Sequence, residues 1–359
     1  MDWADINLAD TNTSEEPDKL LTTFQDIFKA EIGKINSEQG HIQLKEGAKP
    51  IFVKPRQVPY ALRKAVEDEL HRLESSGIIS KVENSQWGTP IVPVKKPNGS
   101  VRLCADYKVT ANKLILDEKY SIPRIDDIFT HMNKGKFFCT LDISNAYLHL
   151  PMDEESREIQ TISTHLGLFK VNRLMFGIKV APSIWQLFMD KVLHGLEGTV
   201  CFFDDILIQG STFQETMSRL KEVFQRIRQY NLRLNQDKCK FFKKSVKYLG
   251  HVIDENGLHK SPDNVEAIRK AKRPEDVTQL RSFLGLTNYY TRFVPNMSTY
   301  LEPLNNVLRH GKKFTWNKEC EDAFVKIKAE ITSERILAHY DLSEALYAYK
   351  RHPVVVIFI

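Results

Sequence analysis

Residues 202–208 read FFDDILI, so two adjacent acids, Asp204 and Asp205, stand between two strongly apolar segments. The apolar segments predict two strands joined by a short turn. A plain hairpin turn favours Asn-Gly or Asp-Gly, which tolerate a positive φ, whereas two neighbouring carboxylates repel each other. A divalent cation would offset that repulsion, and Mg²⁺ is held by carboxylate oxygens and substrate phosphates. The alternative is an ordinary surface loop, where Asp-Asp pairs are common.

A third acid, Asp142, ends the apolar segment FFCTLD, which predicts a buried strand. A strand-end aspartate that faces Asp204 and Asp205 would suit phosphoryl transfer with two metal ions about 3.5–4 Å apart. Catalysis of this kind consists mostly of positioning and charge neutralisation. Because side chains alternate along a strand, we expect Asp204 to bind metal with Asp142 and Asp205 to have a lesser role.

Composition limits the other classes of function. The chain has 359 residues and a net charge of +5, and its first twenty residues hold six acids and one base. The basic remainder indicates a polyanionic partner, although a solvated lysine-rich surface fits the charge alone equally well. The five scattered cysteines form no CxxC pair, which disfavours a zinc module or a disulfide framework. No apolar run reaches the roughly 18 residues of a membrane span, so no membrane partner is expected.

Hydrophobic periodicity and turn signals predict an α+β body followed by helices. A helix is expected from Tyr60 to Ser76, ended by Gly77, then a hairpin around Asn98-Gly99 and two strands around Gly167. Further helices are expected over 22–32, 182–194, 212–230, 265–271, 277–293, 301–308 and 320–331. The first 18 residues are acidic and predict a mobile tail.

Several longer motifs follow one another in a set order. They are VKKPNGSVRLCADYK (94–108), LDISNAYLHLPM (141–152), FFDDILI (202–208), YLGHVI (248–253) and LRSFLGLTNYYTRF (280–293). In sequence and order they resemble the reverse transcriptases of gypsy-type LTR retrotransposons, within Pol polyproteins. The resemblance covers roughly residues 45–341, and the later FTWNKECEDAF (314–324) is similar to that family's approach to ribonuclease H.

The resemblance implies a right-hand polymerase with fingers, an antiparallel palm with helices, and a mostly helical thumb. The implied regions are an acidic tail and linker over 1–45, fingers and palm over 46–257, a thumb over 258–310, and a truncated start of a ribonuclease H-like region over 311–359. The implied function is RNA-directed DNA polymerase. Its implied partners are an RNA or DNA template with a primer and dNTPs, and its cofactors are two Mg²⁺ or Mn²⁺ ions.

The resemblance also assigns roles to single residues. Asp142, Asp204 and Asp205 would be the catalytic, metal-binding carboxylates. Tyr147 would stack under the incoming sugar and hinder a 2′-OH, although an ordinary strand aromatic is the alternative. The remaining implied dNTP-binding residues are Lys95, Arg102, Asn145, Ala146, Phe176 and Gly177, and the implied primer grip is Tyr248, Leu249, Gly250 and His251.

Some positions depart from the family's pattern. Phe202 and Phe203 stand where a tyrosine and a smaller aliphatic residue are usual, Met175 replaces a proline, and Lys179 is expected beside the nucleotide pocket. The sequence after Asp341 reads as a truncated end with an apolar tail. These features leave a second hypothesis, a truncated and catalytically impaired copy that only folds and binds nucleic acid. A nuclease is a third hypothesis, but it leaves two motifs unexplained: the hairpin around Asn98-Gly99, which would form the fingertip, and the primer grip. The expected location is intracellular, in a cytoplasmic retroelement particle, and the oligomeric state stays open.

Overall fold

The computed structural model describes residues 15–95, 99–117, 120–130, 132, 135–309 and 314–333. The chain divides into two compact units. The first unit comprises Met1–Arg124, Cys139–Ile208 and Met217–Phe241, and the second comprises Ile125–Phe138, Gln209–Thr216 and Phe242–Ile359. Within the described ranges, no helix combines the length and apolar character needed to cross a membrane.

Helices and strands are interspersed along the chain up to Lys260, and only helices follow within the described residues. The α-helices are α1 Glu15–Thr23, α2 Tyr60–Ser75, α3 Ile125–Thr130, α4 Glu154–Ile159, α5 Ala181–Val192, α6 Phe213–Gln229, α7 Pro262–Lys270, α8 Val277–Asn288, α9 Met297–Val307 and α10 Lys318–Thr332. The strands are β1 Ile79–Val82, β2 Thr89–Lys95, β3 Val101–Ala105, β4 Phe137–Asp142, β5 Ile162–Thr164, β6 Gly167–Val171, β7 Thr199–Phe202, β8 Asp205–Gly210, β9 Lys240–Lys243, β10 Val246–Tyr248, β11 His251–Asp254 and β12 Gly257–Lys260.

These strands form three sheets. Five strands pair in the order β1-β6-β5-β2-β3, antiparallel except for the parallel pair β2 and β5. Four strands pair in the order β7-β8-β4-β9, and this sheet carries the three acids at the ends of β4 and β8 and in the turn before β8. The sheet β10-β11-β12 lies in the second unit. The mixture of helices and largely antiparallel sheets confirms the expected α+β class.

Helix α6 illustrates how the core of the first unit forms. Leu220, Phe224 and Ile227 recur at helical spacing and are all buried, as the periodicity predicts. The Phe224 ring contacts Phe24 and Phe28 at centroid distances of 5.5 and 5.7 Å. These aromatic contacts fasten the N-terminal segment to the helix and bury a large apolar area.

The N-terminal segment differs from the expectation. The helix expected over 22–32 is wrong, because α1 runs over Glu15–Thr23 and a short 3₁₀ turn follows over Gln25–Phe28. Acidic residues at the start of α1 favour its beginning there, since helix N-termini carry partial positive charge. Asp26 is held by the Arg228 guanidinium, which also lowers the pKa of its carboxyl. Residues 15–18 of the expected mobile tail belong to α1, and residues 1–14 lie outside the described ranges.

The other expected elements are present with small shifts. The helix from Tyr60 ends at Ser75, and Gly77 follows with a φ of +66°. The long helix expected over 277–293 breaks after Asn288 and resumes as a 3₁₀ turn over Thr291–Phe293. The hairpin β2–β3 is present. Residues 96–98, the expected apolar tail and the last part of the expected ribonuclease H-like region lie outside the described residues.

Candidate active site

Asp142 is the last residue of β4, after the buried Phe138, Cys139 and Leu141. Its backbone carbonyl accepts the N–H of Asn235 at 2.9 Å. The next residue along the chain, Ile143, donates its N–H to the Asp204 carbonyl at 2.9 Å. The sheet therefore brings the two acid-bearing segments side by side, as expected from the sequence.

The turn between β7 and β8 consists of Phe203 and Asp204, because Phe202 pairs with Asp205 across the hairpin. The expectation of two acids at the two turn positions is therefore corrected. Asp205 is the first residue of β8, and Asp204 lies in the turn, so strand alternation does not set the direction of Asp204. The reason is conformational: Phe203 takes the positive φ of +56° that the turn requires.

A left-handed conformation is unfavourable for a bulky residue such as Phe203, and two buried side chains of α5 hold it in place. The Phe203 N–H donates to Gln186 Oε1 at 2.7 Å, and the Trp185 indole N–H donates to the Phe203 carbonyl at 2.9 Å. The Gln186 amide also donates to the Cys201 carbonyl at 3.0 Å. Helix α5 thus fixes the backbone that presents Asp204 and Asp205. Nothing in the local sequence identified Gln186 and Trp185 as the residues that support this turn.

A cavity of about 390 Å³ opens over Asp142 and Asp204 within the first unit. Its lining includes seven of the expected site residues: Arg102, Asp142, Asn145, Ala146, Tyr147, Phe176 and Asp204. Four residues that were not expected complete it: Ile143, Ser144, Asn235 and Lys238. Of the expected catalytic and dNTP-binding residues, Lys95, Gly177 and Asp205 are outside that lining. Lys95 is exposed at the end of β2, and Gly177 follows Phe176 with a φ of +94°.

Tyr147 stands at the centre of an aromatic group in this cavity. Its ring centroid lies 5.3 Å from Phe176 and 6.0 Å from Trp185. Burial and the negative charge of Asp204 raise the pKa of the Tyr147 hydroxyl, which is therefore neutral at pH 7. The Arg102 guanidinium lies 5.8 Å from the Phe176 ring centroid. An apolar platform and a cation therefore line the same cavity as Asp142 and Asp204.

The segment that carries Tyr147 is held from below by His149. Asn145 has a positive φ of +51° and begins a 3₁₀ turn over Ala146–His149. His149 Nε2 accepts the Arg233 N–H at 3.1 Å, which leaves Nδ1–H to donate to the Ala146 carbonyl at 3.2 Å. Burial lowers the pKa of His149 to about 4, so the ring is neutral at pH 7 and the turn keeps both hydrogen bonds.

The loop around Gly177 is held by Asn112. The Asn112 amide donates to the Gly177 carbonyl at 2.8 Å and accepts the Lys179 N–H at 2.9 Å. The Lys179 ammonium pairs with Asp117 at 2.7 Å. Lys179 was expected beside the nucleotide pocket, but its charge is engaged by Asp117, and the residue does not line the cavity.

Burial and mutual repulsion act on the acids of this site. Desolvation and the negative charges of Asp204 and Asp142 raise the pKa of Asp205 to about 6. The Lys238 ammonium pairs with Asp142 at 2.9 Å. Such carboxylate oxygens suit Mg²⁺ or Mn²⁺. Among the residues that the structure describes, no three His, Cys, Asp or Glu side chains converge closely enough to hold a metal ion, so the ligand set Asp142, Asp204 and Asp205 stays a prediction.

The expected primer grip forms a tight turn in the second unit. Tyr248 and His251 pair across the β10–β11 hairpin, and Leu249 and Gly250 between them have positive φ values of +44° and +70°. The Tyr289 hydroxyl donates to the Leu249 carbonyl, and the Tyr290 hydroxyl donates to the Gly250 carbonyl at 3.1 Å. The buried His251 ring stacks on Tyr289 at 4.9 Å. Its role as a primer grip stays a prediction.

Replacing Gln186 tests the support of the turn. We expect Gln186→Leu to lower the free energy of unfolding by about 1–3 kcal/mol, because the partly buried Phe203 N–H loses its acceptor. The matched control is Gln225→Leu on the exposed face of α6, expected to change it by less than about 0.5 kcal/mol. Urea denaturation measures both. Equal stability of the two variants would contradict the proposed support.

Asp205 gives a pH dependence of stability. Its pKa in the folded protein lies above the ordinary aspartate value, so the stability contributed by its protonated form is present at pH 4 and is lost as the pH rises through about 6. In EDTA at pH 7.5, we expect Asp205→Asn to raise Tm by about 1–2 °C, because the neutral amide removes the burial cost and the repulsion that act on the charged carboxylate. The gain is small because the residue keeps contact with water, which screens its charge.

Thermal melts at intervals from pH 4 to 8 measure this effect. The gain in Tm should shrink as the pH falls towards 4. Asp237→Asn, which neutralises an exposed acid outside the cavity lining, is the control. A gain in Tm for Asp205→Asn that is independent of pH, or a loss at pH 7.5, would show that charge repulsion does not act on Asp205.

Known proteins share both the sequence and the fold of this chain. Residues 94–253 match the family model described as reverse transcriptase (RNA-dependent DNA polymerase). The chain is 38% identical over 291 residues to an uncharacterized protein of Caenorhabditis elegans, covering 80% of this chain and 23% of that protein. It is 30% identical over 338 residues to the retrovirus-related Pol polyprotein from transposon 412 of Drosophila melanogaster, covering 91% of this chain and 27% of that one.

Solved structures confirm the fold. A foamy viral protease–reverse transcriptase in complex with double-stranded DNA superposes with a TM-score of 0.85 at 22% identity, covering 94% of this chain and 60% of that chain. The expected right-hand polymerase fold is therefore confirmed. The chain spans about a quarter of the length of the curated relatives. It carries a reverse-transcriptase domain over residues 94–253 and is a homologue of retrotransposon Pol polyproteins.

Proposed function

We propose that this chain is an RNA-directed DNA polymerase, part of a gypsy-type LTR retrotransposon Pol polyprotein, that extends a primer 3′-OH with dNTPs. The observation that carries the proposal is the cavity within the reverse-transcriptase domain where Asp142 and Asp204 lie together with Tyr147 and Arg102. Its volume of about 390 Å³ falls within the range of ordinary small-molecule sites.

Asp142 and Asp204 would hold the divalent cations, with Asp205 as the third carboxylate. Two Mg²⁺ or Mn²⁺ ions, when bound, supply charge neutralisation for the attacking 3′-oxygen and the leaving pyrophosphate. The pKa of Asp205, raised by burial and by repulsion from Asp204 and Asp142, supports this assignment, because a cluster of acids is more stable with cations bound. The role of the chain is to place these oxygens on a rigid strand end and a clamped turn.

The dNTP would bind against the aromatic group and the 3₁₀ turn. Tyr147 would lie under the sugar with Phe176 beside it, and Arg102 would pair with the phosphates. Asn145 and Ala146 line the cavity, and their backbone amides would face the triphosphate. Lys95 and Gly177, which are outside the lining, would contribute only if the fingertip and the loop approach the nucleotide when it binds.

The proposed nucleic-acid partner is an RNA or DNA template with its primer. The structural neighbours include a foamy viral enzyme in complex with an RNA/DNA hybrid and others in complex with double-stranded DNA. Lys240 and Lys243 would meet phosphates, whereas Lys247 pairs with Asp263 at 2.7 Å. Such contacts are independent of sequence and sensitive to salt.

The proposed regions are fingers and palm over 46–257 and a thumb over 258–310, with Tyr248–His251 as the primer grip. The proposed location is a cytoplasmic retroelement particle.

Primer extension tests the catalytic proposal. With poly(rA) template, oligo(dT) primer and dTTP, the wild-type chain should incorporate nucleotide in Mg²⁺ or Mn²⁺ and stop in EDTA. Asp204→Asn should lower kcat by at least about 100-fold, because one carboxylate ligand is lost. Asp237→Asn should retain activity. Wild-type protein that binds template–primer in a salt-sensitive way yet matches Asp204→Asn in incorporation would favour the impaired-copy hypothesis.

Tyr147 sets the choice of sugar in this proposal. We expect Tyr147→Val to raise kcat/KM for rTTP relative to dTTP by about 10- to 100-fold, because the smaller side chain leaves room for a 2′-OH. The control is Tyr60→Val, whose side chain is exposed on α2. Single-nucleotide incorporation measures both substrates. An unchanged ratio in Tyr147→Val would leave Tyr147 as an ordinary packing residue.

A further inference from the structure

Lys238 lines the cavity but belongs neither to the turn between β7 and β8 nor to the aromatic group around Tyr147. Its ammonium lies 2.9 and 3.2 Å from the two carboxylate oxygens of Asp142. The Lys238 side chain is 61% exposed and the Asp142 side chain is 14% exposed. One mobile cation therefore engages both oxygens of the more buried partner.

The backbone delivers Lys238 to this position. A 3₁₀ turn over Gln236–Lys238 begins directly after Asn235, whose N–H donates to the Asp142 carbonyl. The segment is further joined to the site by the Ser144 N–H, which donates to the Arg233 carbonyl at 2.9 Å. Arg102, the other cation that lines the cavity, lies over the Phe176 ring. The contact of Lys238 with Asp142 is therefore set by the same strand end that positions the acid.

An ammonium that engages both oxygens of a carboxylate competes with a divalent cation for those oxygens, because the two cations repel each other. A mostly exposed ion pair is weak, however, because water solvates the released ammonium. The pair can thus neutralise Asp142 in the resting protein and yield to a cation of higher charge. The four-carbon side chain of Lys238 lets the ammonium move away without movement of the backbone.

We propose that Lys238 is the resting counter-ion of Asp142 and competes with the divalent cation, so that cation binding at Asp142 requires displacement of the Lys238 ammonium. The inference rests on the proposed function, because it takes Asp142 to be a metal ligand. It assigns to this chain a built-in threshold for metal loading before any nucleotide or primer binds.

The test is Mn²⁺ binding to the full chain without nucleotide or nucleic acid, followed by electron paramagnetic resonance of the free ion. Lys238→Gln should bind Mn²⁺ about 3- to 10-fold more tightly than wild type, because the competing charge is gone. Lys238→Arg keeps the charge and should stay near the wild-type affinity. Asp142→Asn should abolish this Mn²⁺ binding, both alone and in combination with Lys238→Gln.

Lys240→Gln removes an equal charge two residues away and is the matched control for long-range electrostatics. The proposal would be overturned if Lys238→Gln binds Mn²⁺ no more tightly than the wild-type chain does. It would also be overturned if Lys240→Gln tightens Mn²⁺ binding as much as Lys238→Gln does. Absence of Asp142-dependent Mn²⁺ binding in both wild type and Lys238→Gln would overturn it as well. A thermal melt in EDTA confirms that each variant is folded.

This outcome is separable from the fate of the proposed function. If Mn²⁺ binding depends on Asp142 and tightens in Lys238→Gln while the wild-type chain extends no primer, the polymerase proposal fails and the counter-ion role stands. If the chain extends primers but Lys238→Gln binds Mn²⁺ as wild type does, the counter-ion role alone fails.

Discussion

The repulsion among Asp142, Asp204 and Asp205 is the constraint on which the candidate site depends. Three acids at one edge of the sheet β7-β8-β4-β9 are costly unless the backbone holds them and positive charge approaches them. Burial and this repulsion together raise the pKa of Asp205, and the Lys238 ammonium pairs with Asp142. Helix α5 holds the turn through Gln186 and Trp185, and the rigidity of this backbone keeps the acids together where a free loop would let them separate.

The elements that the sequence predicted well are those determined by local pattern. The segment FFCTLD is a buried strand that ends in Asp142, and the alternation of apolar residues around Gly167 gives two paired strands. The spacing of Leu220, Phe224 and Ile227 predicts one face of α6, which is buried. Such patterns report burial on one face of one element, so they need no knowledge of distant partners. The longer motifs and their order predicted the fold itself.

The features that the sequence did not predict depend on residues far apart in the chain. The turn could not be located because Phe203 takes a positive φ only with the support of Gln186 and Trp185, one helix earlier. Lys238 reaches Asp142 through a backbone pairing across nearly a hundred residues. Its sequence, in a short polar stretch after Leu234, resembles any exposed loop. The N-terminal helix was misplaced because Asp26 is drawn to Arg228, a contact equally remote in sequence.

Anomalous diffraction from Mn²⁺ in crystals grown with template–primer and a non-hydrolysable dNTP analogue tests the central claim, that this acid cluster is a metal-dependent nucleotidyl-transfer site. The account predicts two anomalous peaks about 3.5–4 Å apart, ligated by Asp142 and Asp204, with the triphosphate in the same cavity. Bound nucleotide without a peak at either carboxylate, or Mn²⁺ bound only elsewhere in the chain, would contradict it.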